Sequence, residues 1–413
     1  MLSMSNVSLM LIVALSILAS TATSFHVLQN NDGPRSFPYD QRLFDVGSTP
    51  SRQQLQQISS VVKDAAAEKS PRKIRRVEKF ARLPVWPAWN GVFIWLVGKV
   101  LGYDAAARLE NTITGRVCPN FYDYHETSPY IMLVHHCHSF SALDPLRHVQ
   151  RTFFPEGFPA HPHRGFVTVT YILHGGFVHR DSQGVKQAYG AEARHKGKHT
   201  QWLVTGRGML HEEMFDIEGL TSRQELFQIW LNVPAKYKLA EPRSFLLGGD
   251  EETPVVDDGT SKTLILAGSY QGRTAVAPAL TDLVLFHVTL QPGATWTYNL
   301  PASHETAFLY VRQGSLSTND DELISVHHTA YFETAGDGVE VTADGTQGAD
   351  FMFLAGAPIR EPCVASGSMV MTSNREIEQA YADYQRGMMG QPWDHKLSDA
   401  EWAVHVKRNG PRL

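Results

Sequence analysis

The sequence predicts an all-β protein made of two successive β units, and three observations predict it. Short runs of β-branched and aromatic residues recur from about residue 130, among them Tyr130–Val134, Phe166–Leu173, Leu226–Val233 and Leu283–Leu290. Glycine, proline, asparagine and aspartate break these runs, with Gly175-Gly176, Gly206, Gly208 and Pro292-Gly293 supplying turns. The 413 residues suffice for two domains and an extension, and the runs divide near residues 235–260.

The chain opens on an apolar, uncharged run, Val7–Ala19, too short to cross a bilayer comfortably. Ala22-Thr23-Ser24 then offers a small-x-small cleavage pattern before Phe25. Residues 1–24 therefore read as a targeting segment for the secretory pathway or an organelle such as a plastid, with cytoplasm or nucleus as the alternative. Residues 25–125 read as an irregular or helical extension, partly disordered. Within it lie the basic residues Lys69, Arg72, Lys73, Arg75, Arg76, Lys79 and Arg82, followed by Trp86, Trp89 and Trp95. A solvated helix packed on the β units is the expectation there, and membrane contact by residues 69–101 is the less favoured alternative. Residues 126–245 and 246–390 are the two β units. The second ends in a helix near Glu376–Arg386 with Ile377, Ala380, Tyr381 and Tyr384 on one face. Residues 391–413 form a tail.

The formal net charge is -5, so no global basic field calls for a nucleic-acid partner. Three cysteines, Cys118, Cys137 and Cys363, include no Cys-x-x-Cys pair and make no disulfide framework.

Two short motifs carry chemistry. Side chains two apart on a strand share a face, so His161-Pro162-His163 aims two imidazoles at one point. By the same parity His211 and Glu213 share a face, and Glu212 points away. Three imidazoles and a carboxylate suit iron, manganese, nickel, copper or zinc. Pro162 cannot donate to a ladder, which suggests an edge or irregular position. The run His135-His136-Cys137-His138 splits its histidines between two faces and reads as surface or supporting residues. His304-Glu305 and His327-His328 lack strand parity, so no metal is expected in the second unit.

The stretch GFPAHPHRGFVTVTYILHGG, then HRDSQG and QWLVTGRGMLHEEM, resembles the signature of the pirin family. So do Ile229-Trp230-Leu231-Asn232, IREPCVASGSMVM and EIEQAYADYQRG. The resemblance spans roughly residues 125–390 and leaves out the extension. It implies two facing jelly-roll cupin barrels, a bicupin, with one Fe(II) in the N-terminal barrel. The family's ligands fall on His161, His163, His211 and Glu213, the four residues that parity selects. The sequence departs from the family pattern at Val167, His174, Phe215 and Lys198-His199, departures expected to alter the pocket lining.

The resemblance implies quercetin 2,3-dioxygenase chemistry on a flavonol-like aromatic substrate with dioxygen, Glu213 taking the substrate's hydroxyl proton. It equally implies an alternative, a non-enzymatic, iron-binding redox sensor or transcription co-regulator with a protein partner. A bicupin that binds a metabolite without turnover is a third reading.

Overall fold

A computed structural model describes residues 70–80, 96–102, 105, 116–152, 155–320 and 322–412. The expected targeting segment over 1–24 and the Trp86, Trp89 and Trp95 stretch lie outside the described residues. Among the described residues no helix is long and apolar enough to cross a membrane.

The basic stretch is not a helix. Ile74–Lys79 is a strand, β1, paired antiparallel with His328–Phe332 at the edge of the second barrel. Several of its charges face protein rather than solvent, which explains the outcome. The buried Arg72 guanidinium donates to the carbonyls of Gly336, Glu305 and His304 at 3.2, 3.1 and 2.9 Å. Arg76 lies 3.9 Å over the Tyr331 ring and donates to Glu126 at 2.6 Å. Glu126 lies in a short helix, Tyr124–Thr127, between the first two strands of the first barrel, so the extension ties the barrels together.

The first barrel contains β2 (Arg116–Phe121), β3 (Tyr130–Ser141), β4 (Gly157–His163), β5 (Phe166–His174), β6 (Gly176–Asp181), β7 (Lys186–Gly190), β8 (Thr200–Val204), β9 (Met209–Phe215), β10 (Thr221–Asn232) and β11 (Arg243–Leu247). One sheet runs β11-β8-β5-β10-β3-β2 and the other β4-β9-β6-β7. Its strands thus begin at Arg116, within the stretch read as extension, and run to Leu247.

The second barrel contains β12 (Val255–Asp257), β13 (Ser261–Ala267), a small hairpin of β14 (Ser269–Tyr270) and β15 (Arg273–Thr274), β16 (Leu283–Leu290), β17 (Thr295–Asn299), β18 (Thr306–Ser317), β19 (Leu323–Ser325), β20 (His328–Phe332), β21 (Gly338–Ala343) and β22 (Ala349–Gly356). Its main sheet runs β1-β20-β18-β22-β16-β13-β12, and β17 pairs with β21. Trp296, Phe286, Phe351 and Phe353 fill its interior.

Parity decides what each central strand of the first barrel faces. Leu133, Val167, Val169, Tyr171, Phe227, Ile229 and Leu231 pack in one apolar cluster with Leu285, Phe308, Tyr310, Met352 and Leu354 of the second barrel. Their alternates face the first barrel's lumen. Because most of both faces is buried, these strands show no clean apolar–polar alternation, and their lumen faces mix apolar residues with Thr168, Thr170 and Gln228. β3 runs on to Ser141, beyond the apolar run Tyr130–Val134, because polar histidines occupy buried positions on both its faces.

The C-terminal segment lies against the first barrel. After β23 (Val364–Ser366) and β24 (Met369–Met371), the helices Asn374–Gln385 and Asp399–Asn409 and the segment between them pack with Leu210 of β9, through Ile377 and Ala380, through Trp402, and through Met389 and Trp393 respectively. Residues read from sequence as a tail therefore include a helix, whose start is a capping box of Ser398 and Glu401.

Candidate metal centre

The edge strand β4 and its neighbour β9 bring the predicted histidines together. Their register sets His161 against His211 and Pro162 against Leu210, with an irregularity between Phe158 and His161. An edge position with a bulge is where a proline is tolerated. The ligand atoms of His161, His163 and His211 all lie within 4.8 Å of one another. Ring centroids are 4.7 Å apart for His161 and His163, 4.4 Å for His161 and His211, and 4.8 Å for His163 and His211.

The loop after His163 is tightly held. Gly165 has φ +86°, and a Cβ there would meet the Val370 carbonyl oxygen at 2.1 Å. Only glycine fits such a backbone at that distance. Arg164 donates to the Arg207 carbonyl at 2.6 Å and to Asp383 at 2.8 Å, fastening the loop to the C-terminal helix. Lys238, itself buried, donates to the Gly165 carbonyl at 2.9 Å. Phe166 and Trp230 set their rings 5.2 and 5.4 Å from that of His163.

These residues fit a cation. His161 donates from Nδ1 to the Pro159 carbonyl at 2.8 Å, and His163 directs Nδ1 to the Ser368 carbonyl at 3.4 Å. Each Nε2 is then a bare lone pair, and the two stand 3.1 Å apart. Lone pairs so placed repel unless a cation or proton lies between them. His211 is fully buried, and neither of its ring nitrogens has a hydrogen-bond partner. Burial lowers the pKa of all three imidazoles, which favours the neutral, ligating form.

Glu213 faces the same lumen but its carboxylate is not part of the three-histidine group. It is 1% exposed. Thr170 and Tyr189 each donate to Oε1 at 3.0 Å, and Gln228 donates from Nε2 to Oε2 at 2.9 Å. All three donors are uncharged, so the site keeps one negative charge beside three neutral imidazoles. A buried charge needs compensation, and a divalent cation supplies it.

Sequence reasoning passed over His179. Its ring centroid lies 5.4 Å from that of His211, its Nε2 donates to Asp181 at 3.1 Å, and its buried Nδ1 has no partner. The signal was present as His-x-Asp at strand parity inside HRDSQG. Thr170, Tyr189 and Gln228 carried no comparable signal, because neutral polar residues on strands are read as loop or surface until their register is known.

Other expectations are corrected. Of the two roles expected for the histidine run, surface or supporting, burial removes the surface one, because His135 and His138 are fully buried. His135 lies in the seam between the barrels, where it donates to Glu225 at 3.0 Å. His136 and His138 face the lumen against Phe158 and Phe215. Of the four departures from the family pattern, Phe215 packs in the lumen cluster, but Val167 lies in the apolar seam. His174 and His199 line a cleft of about 670 Å³ between the barrels, apart from the three histidines. In the second barrel His304 donates to Asp282 and His327 hydrogen-bonds Tyr310, each at 2.9 Å.

Two antiparallel barrels, with a histidine cluster in the lumen of the first, define a bicupin. The Pirin family model matches residues 121–231, and that of the Pirin C-terminal cupin domain matches residues 285–390. Pirin-1 of Arabidopsis thaliana is 33% identical over 301 residues, covering 71% of this chain and 96% of that protein. A Pseudomonas aeruginosa protein provisionally named a quercetin 2,3-dioxygenase is 34% identical over 239 residues, covering 56% of this chain and 80% of that one. The crystal structure of a quercetin 2,3-dioxygenase from Acinetobacter baumannii superposes with a TM-score of 0.60 at 23% identity, covering 78% of this chain and 99% of that chain. The chain belongs to the pirin family.

Proposed function

We propose that this protein is a metal-dependent dioxygenase acting on flavonol-like, quercetin-type substrates, with iron as its metal. The observation that carries the reading is the convergence of His161, His163 and His211 within 4.8 Å, with both nitrogens of His211 unpartnered. The name of the Pseudomonas aeruginosa relative supports the reaction type. His161, His163 and His211 hold the metal, and Glu213 is the carboxylate donor beside them. Bound iron would polarise the substrate's hydroxyl oxygen and serve as redox partner for dioxygen.

The chain's own residues do the rest. Glu213 accepts the proton of the substrate's hydroxyl, which raises electron density on the ring to be opened. The Pro159 and Ser368 carbonyls fix the histidine tautomers so that each Nε2 faces inward. Phe158, Phe166 and Trp230 give the lumen aromatic surfaces that suit a planar substrate.

The test is oxygen uptake by Fe(II)-loaded protein given quercetin, with His163→Ala as control. Metal-dependent uptake that vanishes in the variant is the expected result. Absence of uptake from protein shown to hold iron would overturn the proposal.

A further inference from the structure

Three strands that carry none of the clustered histidines converge on one carboxylate. Thr170 comes from β5, Tyr189 from β7 and Gln228 from β10, whereas His161 and His163 lie on β4 and His211 on β9. Thr170 and Tyr189 are fully buried. Gln228 is the donor to Oε2, and the other two share Oε1. We infer that Gln228, Thr170 and Tyr189 are positioning residues that set the orientation of Glu213 in the metal centre, an inference that rests on the reading of Glu213 given above.

Donors on both oxygens fix the carboxylate plane. Its terminal torsion is otherwise broad, because rotation about a bond to an sp² carbon has no sharp staggered wells. Without the Gln228 amide, the group would pivot on Oε1. The Thr170 hydroxyl stands 3.0 Å from both Glu213 Oε1 and the Gln228 amide oxygen, so its one proton serves one acceptor at a time and ties the two side chains together, while the Gln228 NH₂ donates to Oε2. The Tyr189 hydroxyl, whose one proton goes to Glu213, also lies 3.4 Å from the side-chain amide oxygen of Gln201, and the Gln201 amide donates to Gln187 at 3.1 Å. The donor set holds the carboxylate without cancelling its charge. A lysine or arginine in the same place would also satisfy it, but would repel a divalent ion.

A purely structural role makes a different prediction. If these residues only satisfy a buried acid, their loss lowers stability and leaves metal binding unchanged. If they position Glu213, metal affinity falls, since partners behind a ligand typically matter about 10–100-fold. The measurement is Fe(II) affinity by competition with a chelator, without substrate, in Gln228→Leu, Tyr189→Phe, Thr170→Val, Thr170→Ser and Glu213→Gln. Melting of each metal-free variant monitors folding. The expected result is weakening of about tenfold or more in Glu213→Gln and Gln228→Leu, smaller losses in Tyr189→Phe and Thr170→Val, and near wild-type affinity in Thr170→Ser. Weakening in Glu213→Gln with wild-type affinity in all the others overturns the inference and spares the reading of Glu213. Wild-type affinity in Glu213→Gln itself overturns both. Should Gln228→Leu fail to fold, Tyr189→Phe decides alone, because it removes a single oxygen.

Discussion

Arg312 of the second barrel sets its Nη1 3.0 Å from Oε1 of Glu225 in the first. The same guanidinium grips Asp350 through Nε and Nη2 at 2.6 and 2.7 Å. From Asp350 the chain of polar contacts continues through His287 at 3.0 Å to the Tyr171 hydroxyl at 2.8 Å. From Glu225 it continues through His135 to Tyr310 at 3.1 Å. The otherwise apolar seam thus contains a charged line with its members bonded across it. Glu225 is fully buried.

Removing one member should cost more than the line contributes as a whole. Arg312→Met leaves Glu225 and Asp350 buried with less compensation, and should destabilise the protein by about 3–5 kcal/mol. Chemical denaturation of the metal-free protein measures this. A loss below about 1 kcal/mol, the range of exposed pairs, would show the seam to be wetter than its burial implies.

Acid should open the same line. Burial by itself would raise the Glu225 pKa, but the hydrogen bond and charge of His135, with Arg312 and Arg223, outweigh it and hold the carboxyl far below its ordinary 4.5. Burial likewise opposes, and His287 and Arg312 overcome it, at Asp350, whose ordinary value is 3.8. Depressed carboxyl pKa values stabilise the fold above the unfolded values and lose that contribution as pH falls through and below them. Stability of the metal-free protein should therefore drop steeply below about pH 4.5. In Glu225→Gln that slope should be shallower.

The metal centre titrates in another window. Burial lowers the pKa of His161, His163 and His211 from 6.5, so protons compete with metal only below that value. Bound iron should stay at full occupancy through pH 6.5 and be released at lower pH. Iron content after desalting at stepped pH checks this, and release that begins well above pH 6.5 would contradict neutral, buried ligands.

What the sequence made legible was whatever strand parity alone determines. His161, His163 and His211 needed only the alternation of faces, and they converge. The strand β1 was illegible because Arg72 and Arg76 are long, charged side chains whose carbonyl and carboxylate partners lie far along the chain. A basic run looks solvated until those partners are placed. Val167 shows the same limit from the other side. It follows directly after the motif His163-Arg164-Gly165-Phe166, which suggested a pocket residue, yet parity turns it into the seam. Parity says which residues share a face, and the topology says what that face meets.

Gly165 couples fold and centre most directly, because it follows His163 by two residues and lies under the β23–β24 hairpin. Gly165→Ala combines a left-handed φ of +86° with a Cβ 2.1 Å from the Val370 carbonyl oxygen. The backbone preference alone costs about 1 kcal/mol or more, and the clash forces either the hairpin or the His163 loop to move. Lys238 ties the two sides together, donating to the Gly165 and Val370 carbonyls at 2.9 and 3.1 Å, so relieving the clash on either side strains that tie and reaches the His163 loop. The variant should lose about 2–4 kcal/mol of stability. It should also bind Fe(II) more weakly than Gly197→Ala, a control glycine at φ +75° with open space around its would-be Cβ. Comparing the two separates the backbone preference, common to both, from displacement of His163. Equal metal affinity in the two variants would mean that the hairpin, not the histidine, had moved.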